Sequence, residues 1–177
     1  MVEDNKLENT YESSNIITRT YFKTKVWLAI KIARLKKKEI ILDFGCGGGW
    51  LERKLKGYNI YGYDINPEKT FIDDYRKISP EKIFALDVFE HIPFSEIGGI
   101  IGNFKKMSKN FELIVSIPTE NKISRIMRRM VGKPEVPKEH ITKYPEILKI
   151  LKSELKLIKK FNFLTVTYIL KFRNISN

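Results

Sequence analysis

A chain of 177 residues with 42% hydrophobic and 12% aromatic residues has a globular composition and is long enough for one α/β domain. Its 33 lysines and arginines against 21 acidic residues give a formal net charge of +12, which favours anionic partners such as RNA, phospholipid headgroups or acidic metabolites. A single cysteine excludes an internal disulfide or a multi-cysteine zinc site, and no apolar run reaches the roughly 18 residues of a membrane-spanning helix.

The chain begins with a polar stretch of mixed charge, up to about Ser13, that is unlike a signal peptide. We therefore predict a loosely held start and a cytoplasmic protein. From Asn15 to Lys38, apolar residues recur near helical spacing, which predicts one or two amphipathic helices packed on the sheet that follows. In a single domain over residues 1–177, this N-terminal helical segment spans 1–38.

Short apolar segments then predict the strands of a largely parallel sheet. They lie at 39–44, 59–63, 70–72, 82–86 and 111–117, the third being very short. Helices are predicted at 50–56, 95–107 and 144–153, so the sheet begins with a βαβ unit. Two final strands, 155–161 and 164–172, are predicted to form an antiparallel pair with a tight turn near Asn162.

The segment ILDFGCGGGW, which ends at Trp50, puts a glycine-rich turn directly after the first predicted strand. Glycine suits a backbone that needs positive φ and a close approach to a ligand. A dinucleotide-binding loop would need glycine where Trp50 stands, so this kind of site is disfavoured. A P-loop would need lysine and a hydroxyl residue after the last glycine, so a P-loop is excluded. The observed pattern is G-x-G-x-G at Gly45, Gly47 and Gly49, with Asp43 two places before it.

Four later segments accompany this loop: YGYDINP, IFALDVFEHIP, FELIVSIPTE and EHITKYPEIL. Together they resemble the class I S-adenosylmethionine-dependent methyltransferases, in the small-molecule branch of types 11 and 23. The resemblance runs from about Glu39 to the C-terminal hairpin and covers most of the chain. It implies an α/β, Rossmann-like, doubly wound seven-stranded sheet of order 3-2-1-4-5-7-6 with the last strand antiparallel.

The resemblance also implies an S-adenosylmethionine site at the carboxyl ends of the strands. Asp43 would hold the ammonium end of the cofactor, and Asp64 can accept both ribose hydroxyls. Cys46 is interpreted as a small filler of the turn, because no histidine lies near it in sequence. The cofactor-binding residues predicted in this way are Asp43, Gly45, Cys46, Gly47, Gly49, Asp64, Ile65, Asp74 and Asp87.

The chain departs from the family between Asp64 and Phe84, where about twenty residues replace a full helix, a strand and a loop. We expect the sheet to be shortened around the second crossover helix and the third strand. Asp73 and Asp74, with Tyr75 as a stacking partner, are the candidates to face the adenine. The alternative is that these acids cap a turn.

Catalytic candidates follow the fourth strand and precede the last helix. His91 is the leading general base because the pKa of imidazole lies near neutral pH, and Glu90 and His140 are its companions. The alternative is that these residues only shape the pocket. With two histidines in the chain, we expect no metal site.

The segment NKISRIMRRMVGK lies in a predicted lid over 119–143, between the cofactor-binding core at 39–118 and the closing unit at 144–177. Its apolar residues recur at helical spacing, and Arg125, Arg128 and Arg129 lie among them. Such a basic amphipathic helix either covers the active site alone or also contacts an anionic membrane surface or a lipid-like substrate.

The sequence thus predicts S-adenosylmethionine-dependent methyl transfer to a small-molecule or lipid-like acceptor, at oxygen, by a cytoplasmic enzyme that can be peripheral at a membrane. One alternative is an RNA methyltransferase that uses the basic face. A second is a non-catalytic cofactor- or partner-binding protein of the same fold.

Overall fold

A computed structural model describes residues 14–130 and 140–174, with the backbone alone at 127–130. In chain order its elements are α1 (Ile16–Ala33), β1 (Ile40–Phe44), α2 (Trp50–Lys54), β2 (Asn59–Tyr63), β3 (Lys82–Leu86), α3 (Phe94–Met107), β4 (Glu112–Pro118), α4 (Lys122–Met130), α5 (Tyr144–Glu154), β5 (Lys156–Phe163) and β6 (Thr167–Arg173). Two short 3-10 turns lie at Tyr75–Lys77 and Phe89–His91. The predicted loose start up to Ser13 lies outside the described residues.

The strands form one sheet of order β2-β1-β3-β4-β6-β5. Strands β2, β1, β3 and β4 are parallel, and β6 runs antiparallel to both of its neighbours. This is the predicted order without its third strand. The turn of the final hairpin lies after Phe163 rather than near Asn162, because Leu164 and Thr165 adopt left-handed backbone conformations with φ of 52° and 59°.

The predicted third strand at 70–72 does not form, so the described sheet has six strands instead of seven. Its remnant is a single backbone hydrogen bond of 3.0 Å, which Phe71 N donates to Gly62 O at the edge of β2. The hydroxyl of Thr70 donates to Ile72 O and accepts from Asp64 N, at 2.7 and 3.2 Å. These local bonds hold the segment in a turn, which competes with a strand ladder.

The core lies on both faces of the sheet, as the alternation of side chains along β3 illustrates. Ile83 and Ala85 pack in the cluster that contains α3 and α5, whereas Phe84 packs in the opposite cluster with α1 and α2. Tyr75 belongs to the first cluster and is buried there, and its hydroxyl accepts a hydrogen bond from Asn103. The structure therefore places Tyr75 in the core, not where it could stack on an adenine.

Candidate active site

The glycine loop between β1 and α2 has the backbone that its sequence predicts. Gly45, Gly47 and Gly49 have φ values of +81°, +50° and +68°. A Cβ on Gly45 would lie 2.5 Å from a methyl of Val88, so the loop packs directly against the segment that follows β3. Only glycine combines this conformation with this contact.

Asp64 lies at the carboxyl end of β2 and faces the loop. Its carboxylate accepts hydrogen bonds from Gly47 N at 2.9 Å and from Asn66 N at 3.0 Å. The next side chain, Ile65, is 92% exposed. A fixed carboxylate beside an exposed apolar side chain suits a ligand with a sugar and a flat ring.

Asp43 and Glu52 form a buried acidic pair beneath the loop. Burial raises the pKa of Asp43 well above its ordinary value, and the negative charges of Glu52 and Asp64 raise it further. Burial also raises the pKa of Glu52. Within the described residues, both carboxyl oxygens of Glu52 are buried without a hydrogen-bond donor. Sequence reasoning missed Glu52, although its place in the first turn of α2, after the glycines, was a usable signal.

Two of the other predicted cofactor residues have local partners in this structure. Cys46 is buried with Sγ 3.5 Å from Lys69 O, and burial, followed by the charge of Asp43, raises the pKa of its thiol. Asp74 caps the Tyr75–Lys77 turn and binds the guanidinium of Arg76 at 2.8 Å. Hydrogen bonds from Arg76 lower the pKa of Asp74. Asp74 thus takes the capping role that the sequence left open.

Asp87, directly after β3, is the centre of a polar group beside the loop. It has a left-handed backbone, with φ of 57°, and accepts hydrogen bonds from Ser116 Oγ at 2.7 Å and from the ammonium of Lys25. Lys25 comes from α1 and is 1% exposed. No short motif around Lys25 marks this role, which arises because α1 places it against the carboxyl end of β3.

Glu90, His91 and His140 are brought together as predicted. Backbone amides of Ile141 and Thr142 donate to Glu90 O at 2.8 and 3.2 Å. The two imidazole rings meet edge to face with centroids 4.9 Å apart. His140 Nδ1 lies 2.6 Å from Glu120 Oε1, and burial is the largest cause of a raised pKa for Glu90. Proton-accepting groups therefore converge at one point after β3.

A family model described as a methyltransferase domain matches residues 25–147. The chain belongs to this methyltransferase family. It is a class I S-adenosylmethionine-dependent methyltransferase, as the sequence predicted, and S-adenosylmethionine is its cofactor. No curated protein matches the methyltransferase in sequence.

Solved structures confirm the Rossmann-like α/β fold of the methyltransferase. Magnesium protoporphyrin IX methyltransferase from Synechocystis PCC 6803, solved with bound SAH, is 18% identical with a TM-score of 0.71, covering 97% of this chain and 94% of that one. A SAM-dependent methyltransferase from Aquifex aeolicus is 15% identical with a TM-score of 0.71, covering 99% and 100%. The small RNA methyltransferase HEN1 is 18% identical with a TM-score of 0.63, covering 88% of this chain and 25% of that one.

The residues around the glycine loop of the methyltransferase fit S-adenosylmethionine. The loop has no side chain at its three left-handed positions, and Asp43, Glu52 and Asp64 place three carboxyl groups near it. The orphaned oxygens of Glu52 suit a site that takes a cationic amino-acid tail. Asp64 would hold the ribose, Ile65 would face the adenine, and Asp43 with Glu52 would balance the ammonium.

Helix α4 of the methyltransferase has exposed apolar residues among its basic ones. Ile123 and Ile126 are 49% and 55% exposed, and Lys122 and Arg125 are exposed beside them. Ser124 is the buried residue, and its amide donates to Asn121 Oδ1 at 2.8 Å. The side chains of Arg128 and Arg129 lie outside the described residues. No helix in the described part of the methyltransferase is long and apolar enough to cross a membrane.

Proposed function

We propose that this methyltransferase methylates an oxygen of a small or lipid-like acceptor. The observation that carries the proposal is an apolar cavity of about 400 Å³ between the N-terminal half of α1 and the end of β5. It is lined by Ile16, Ile17, Thr20, Tyr21, Thr24, Phe163 and Leu164. Such a cavity suits an apolar acceptor better than a charged one.

The cavity adjoins the polar groups that follow β3. The Lys25 ammonium lies 5.7 Å from the centre of the Tyr21 ring, which lines the cavity, and the same ammonium binds Asp87. Since β5 runs in the direction of β4, its end at Phe163 lies at the same edge of the sheet as the glycine loop. An acceptor in the cavity can therefore direct a polar end towards Asp87 and Glu90.

A hydroxyl acceptor must lose its proton as its oxygen takes the methyl group. The bound cofactor supplies that methyl group already activated by a cationic sulfur. His140 has the geometry of an oriented base because Glu120 accepts or shares a proton at Nδ1. Glu90, with its raised pKa, and His91 are the neighbouring groups that can take or hold the proton.

The exposed face of α4 supports an acceptor that is presented at an anionic membrane surface. Ile123 and Ile126 can enter the headgroup region while Lys122 and Arg125 meet phosphates, as in interfacial amphipathic helices. Arg128 and Arg129 extend the basic sequence of the same helix. The enzyme would then be cytoplasmic and peripheral at the membrane.

The test measures transfer of a labelled methyl group from S-adenosylmethionine to a lipid extract and, in parallel, to total RNA. We expect the label in a lipid or small molecule, as a methyl ether that is stable to alkali or as a methyl ester, and none in RNA. Label in RNA alone would establish the RNA alternative. Absence of S-adenosylmethionine binding at millimolar concentration in calorimetry would defeat methyl transfer and leave the partner-binding form of the non-catalytic alternative.

Membrane contact is tested by co-sedimentation with vesicles of anionic or neutral phospholipid. We expect binding to the anionic vesicles, and loss of it when Arg125, Arg128 and Arg129 are replaced by glutamine. A matched variant with glutamine at the exposed Lys152, Lys156 and Lys159 loses the same charge elsewhere and should still bind. Equal loss of vesicle binding in both variants would mean that binding depends on net charge alone, and it would overturn a specific role for α4.

A further inference from the structure

Three side chains with metal-ligating atoms converge between the Phe89–His91 turn and the segment before α5. The ligand atoms of Glu90, His91 and His140 all lie within 4.8 Å of one another. Among residues 14–130 and 140–174, this is the one group of its kind. We propose that it binds a divalent transition-metal ion, contrary to the expectation from the low histidine count.

The ligand set and its support fit such an ion. Two imidazoles and one carboxylate are ligands of zinc and of other first-row divalent metals, with bonds of about 2.1 Å. Two ligands of one ion then lie at most about 4.2 Å apart, which is close to the 4.8 Å that bounds the distances among these ligand atoms. Both histidines are only partly buried, which permits a small adjustment of the rings. Three bonds fix the approach of the two segments, since Thr142 Oγ1 also donates to Ile92 O at 2.6 Å.

The contact between His140 and Glu120 is the support that metal-bound histidines usually have. A ligating imidazole commonly donates its second ring N–H to a carboxylate, which fixes the tautomer and the ring orientation. Here Glu120 Oε1 lies 2.6 Å from Nδ1 of His140, and Glu120 itself adopts a left-handed backbone with φ of 50°. Nε2 of His140 is then available as the ligand.

The electrostatics around Glu90 favour an added cation. Glu90 is 2% exposed, and its Oε2 is buried without a hydrogen-bond partner in the described chain. Its charged neighbours are the carboxylates of Asp87 and Glu120 and the ammonium of Lys25, which binds Asp87. Three carboxyl groups thus lie near one ammonium, and a divalent ion would compensate the excess of negative charge.

Three protein ligands leave open positions on a metal ion. An acceptor hydroxyl bound there would lose its proton more readily, because the ion stabilises the negative oxygen. This role rests on the proposed oxygen methylation, and in the metal-loaded enzyme Glu90, His91 and His140 would act as ligands instead of proton acceptors. Metal binding itself does not depend on that activity, and it can be measured without the cofactor.

The experiment titrates the untagged full chain, after treatment with chelator and without S-adenosylmethionine, with Zn²⁺ in a calorimeter and with Co²⁺ in an absorption spectrometer. We expect one ion per chain and a visible Co²⁺ band. His140→Ala and His91→Ala should abolish the band, and Glu90→Gln should weaken Zn²⁺ binding at least tenfold. Glu120→Gln should keep the band but lower the affinity about tenfold, as the loss of a supporting carboxylate does.

Glu52→Gln is the matched control because it also removes a buried carboxyl group without a donor, at the glycine loop. Its Zn²⁺ affinity should equal that of the natural chain, and circular dichroism checks that each variant folds. If Glu90→Gln does not fold, the two histidine variants still decide the outcome. No binding at millimolar Zn²⁺, or equal binding in all variants, would overturn the proposal. The assay with a labelled methyl group separately tests the proposed methyl transfer.

Discussion

Two sides of the site are assembled over different distances in the chain: the glycine-loop side, called the cofactor side, and the side after β3 where we propose that the acceptor binds, called the acceptor side. On the cofactor side, Asp43, Glu52 and Asp64 come from consecutive elements around one glycine loop. On the acceptor side, Lys25 comes from the first helix and His140 from the segment before α5, and both meet the turn after β3. A local motif therefore defines the first side, whereas the second exists only in the folded chain.

The two sides also balance their buried carboxyl groups differently. Lys25 is nearly fully buried against Asp87, so the acceptor side carries its own cation. The Asp43 and Glu52 pair has Arg53 as its basic neighbour, but the Arg53 guanidinium donates to Gly48 O at the surface. The cofactor side is thus incomplete without a cationic ligand, whereas the acceptor side is partly neutralised in the free protein.

The largest effect should follow from removing the cation of the acceptor side. Lys25→Met leaves Asp87 without its buried partner, and we predict a loss of about 3 kcal/mol in the free energy of unfolding, since breaking a buried ion pair costs that much. Urea unfolding measures it. Lys23→Met, at an exposed position of the same helix, should change stability by less than about 0.5 kcal/mol.

A second variant, Lys25→Met with Asp87→Asn, sharpens this prediction. It removes both charges, so it should regain part of the lost stability. If Lys25→Met alone lowers the free energy of unfolding by less than about 1 kcal/mol, water replaces Lys25 in solvating Asp87. The charge of Asp87 on the acceptor side would then not be neutralised by the protein itself.

On the cofactor side, the largest effect should appear in binding. Asp64→Asn weakens a charge-assisted contact to the ribose, so we predict a 10- to 100-fold loss in affinity for S-adenosylmethionine, about the value of a hydrogen bond to a charged group. Calorimetry measures this loss. Glu96→Gln, at an exposed position of α3, should bind as tightly as the natural chain. Equal affinities for Asp64→Asn and the natural chain would contradict the assigned site.

The packing beneath the loop gives a smaller effect on stability. A Cβ on Gly62 would collide with Glu52 Oε1 and lie 2.8 Å from the Phe71 ring and 3.0 Å from Cys46 Sγ. We predict that Gly62→Ala costs about 1.5 kcal/mol, as overpacking does. Gly99→Ala, inside α3 with nothing within 4 Å of its Cβ, should instead stabilise by about 0.5 kcal/mol in the same unfolding experiment. A neutral Gly62→Ala would mean that Glu52 can leave its buried position.

This difference between the two sides explains how much the sequence could predict. Strand β3 lies at its predicted residues, because a continuous apolar run bounded by polar residues identifies a buried parallel strand. Strand β2 also lies at its predicted residues, although it is only partly buried, because Asp64 and Pro67 mark where it ends. The prediction of a strand at 70–72 was wrong. The hydroxyl of Thr70 bonds within this segment and holds it in a turn, and three residues are too few for a sequence pattern to distinguish a strand from a turn. The family resemblance led to Glu90, His91 and His140 as catalytic candidates; the structure brings them together, and their catalytic role stays a prediction. Lys25 had no such signal because its burial depends on tertiary packing alone.

The pH dependence of stability should give the smallest effect and should also distinguish the two sides. Burial raises the pKa of Glu52 above its ordinary value of 4.5, so the native state binds more protons than the unfolded chain from that pH up to the raised pKa. The unfolding free energy should therefore fall as pH rises from 4.5 through the raised pKa. Glu52→Gln should flatten this decline. Glu112→Gln should not, because the cations of Lys171, Lys82 and Arg173 lower the pKa of Glu112 to about 2, and its contribution is lost only as pH falls below 4.5. An unchanged decline in Glu52→Gln would assign the effect to Asp43, the other carboxyl of the pair, or to Glu90 on the acceptor side.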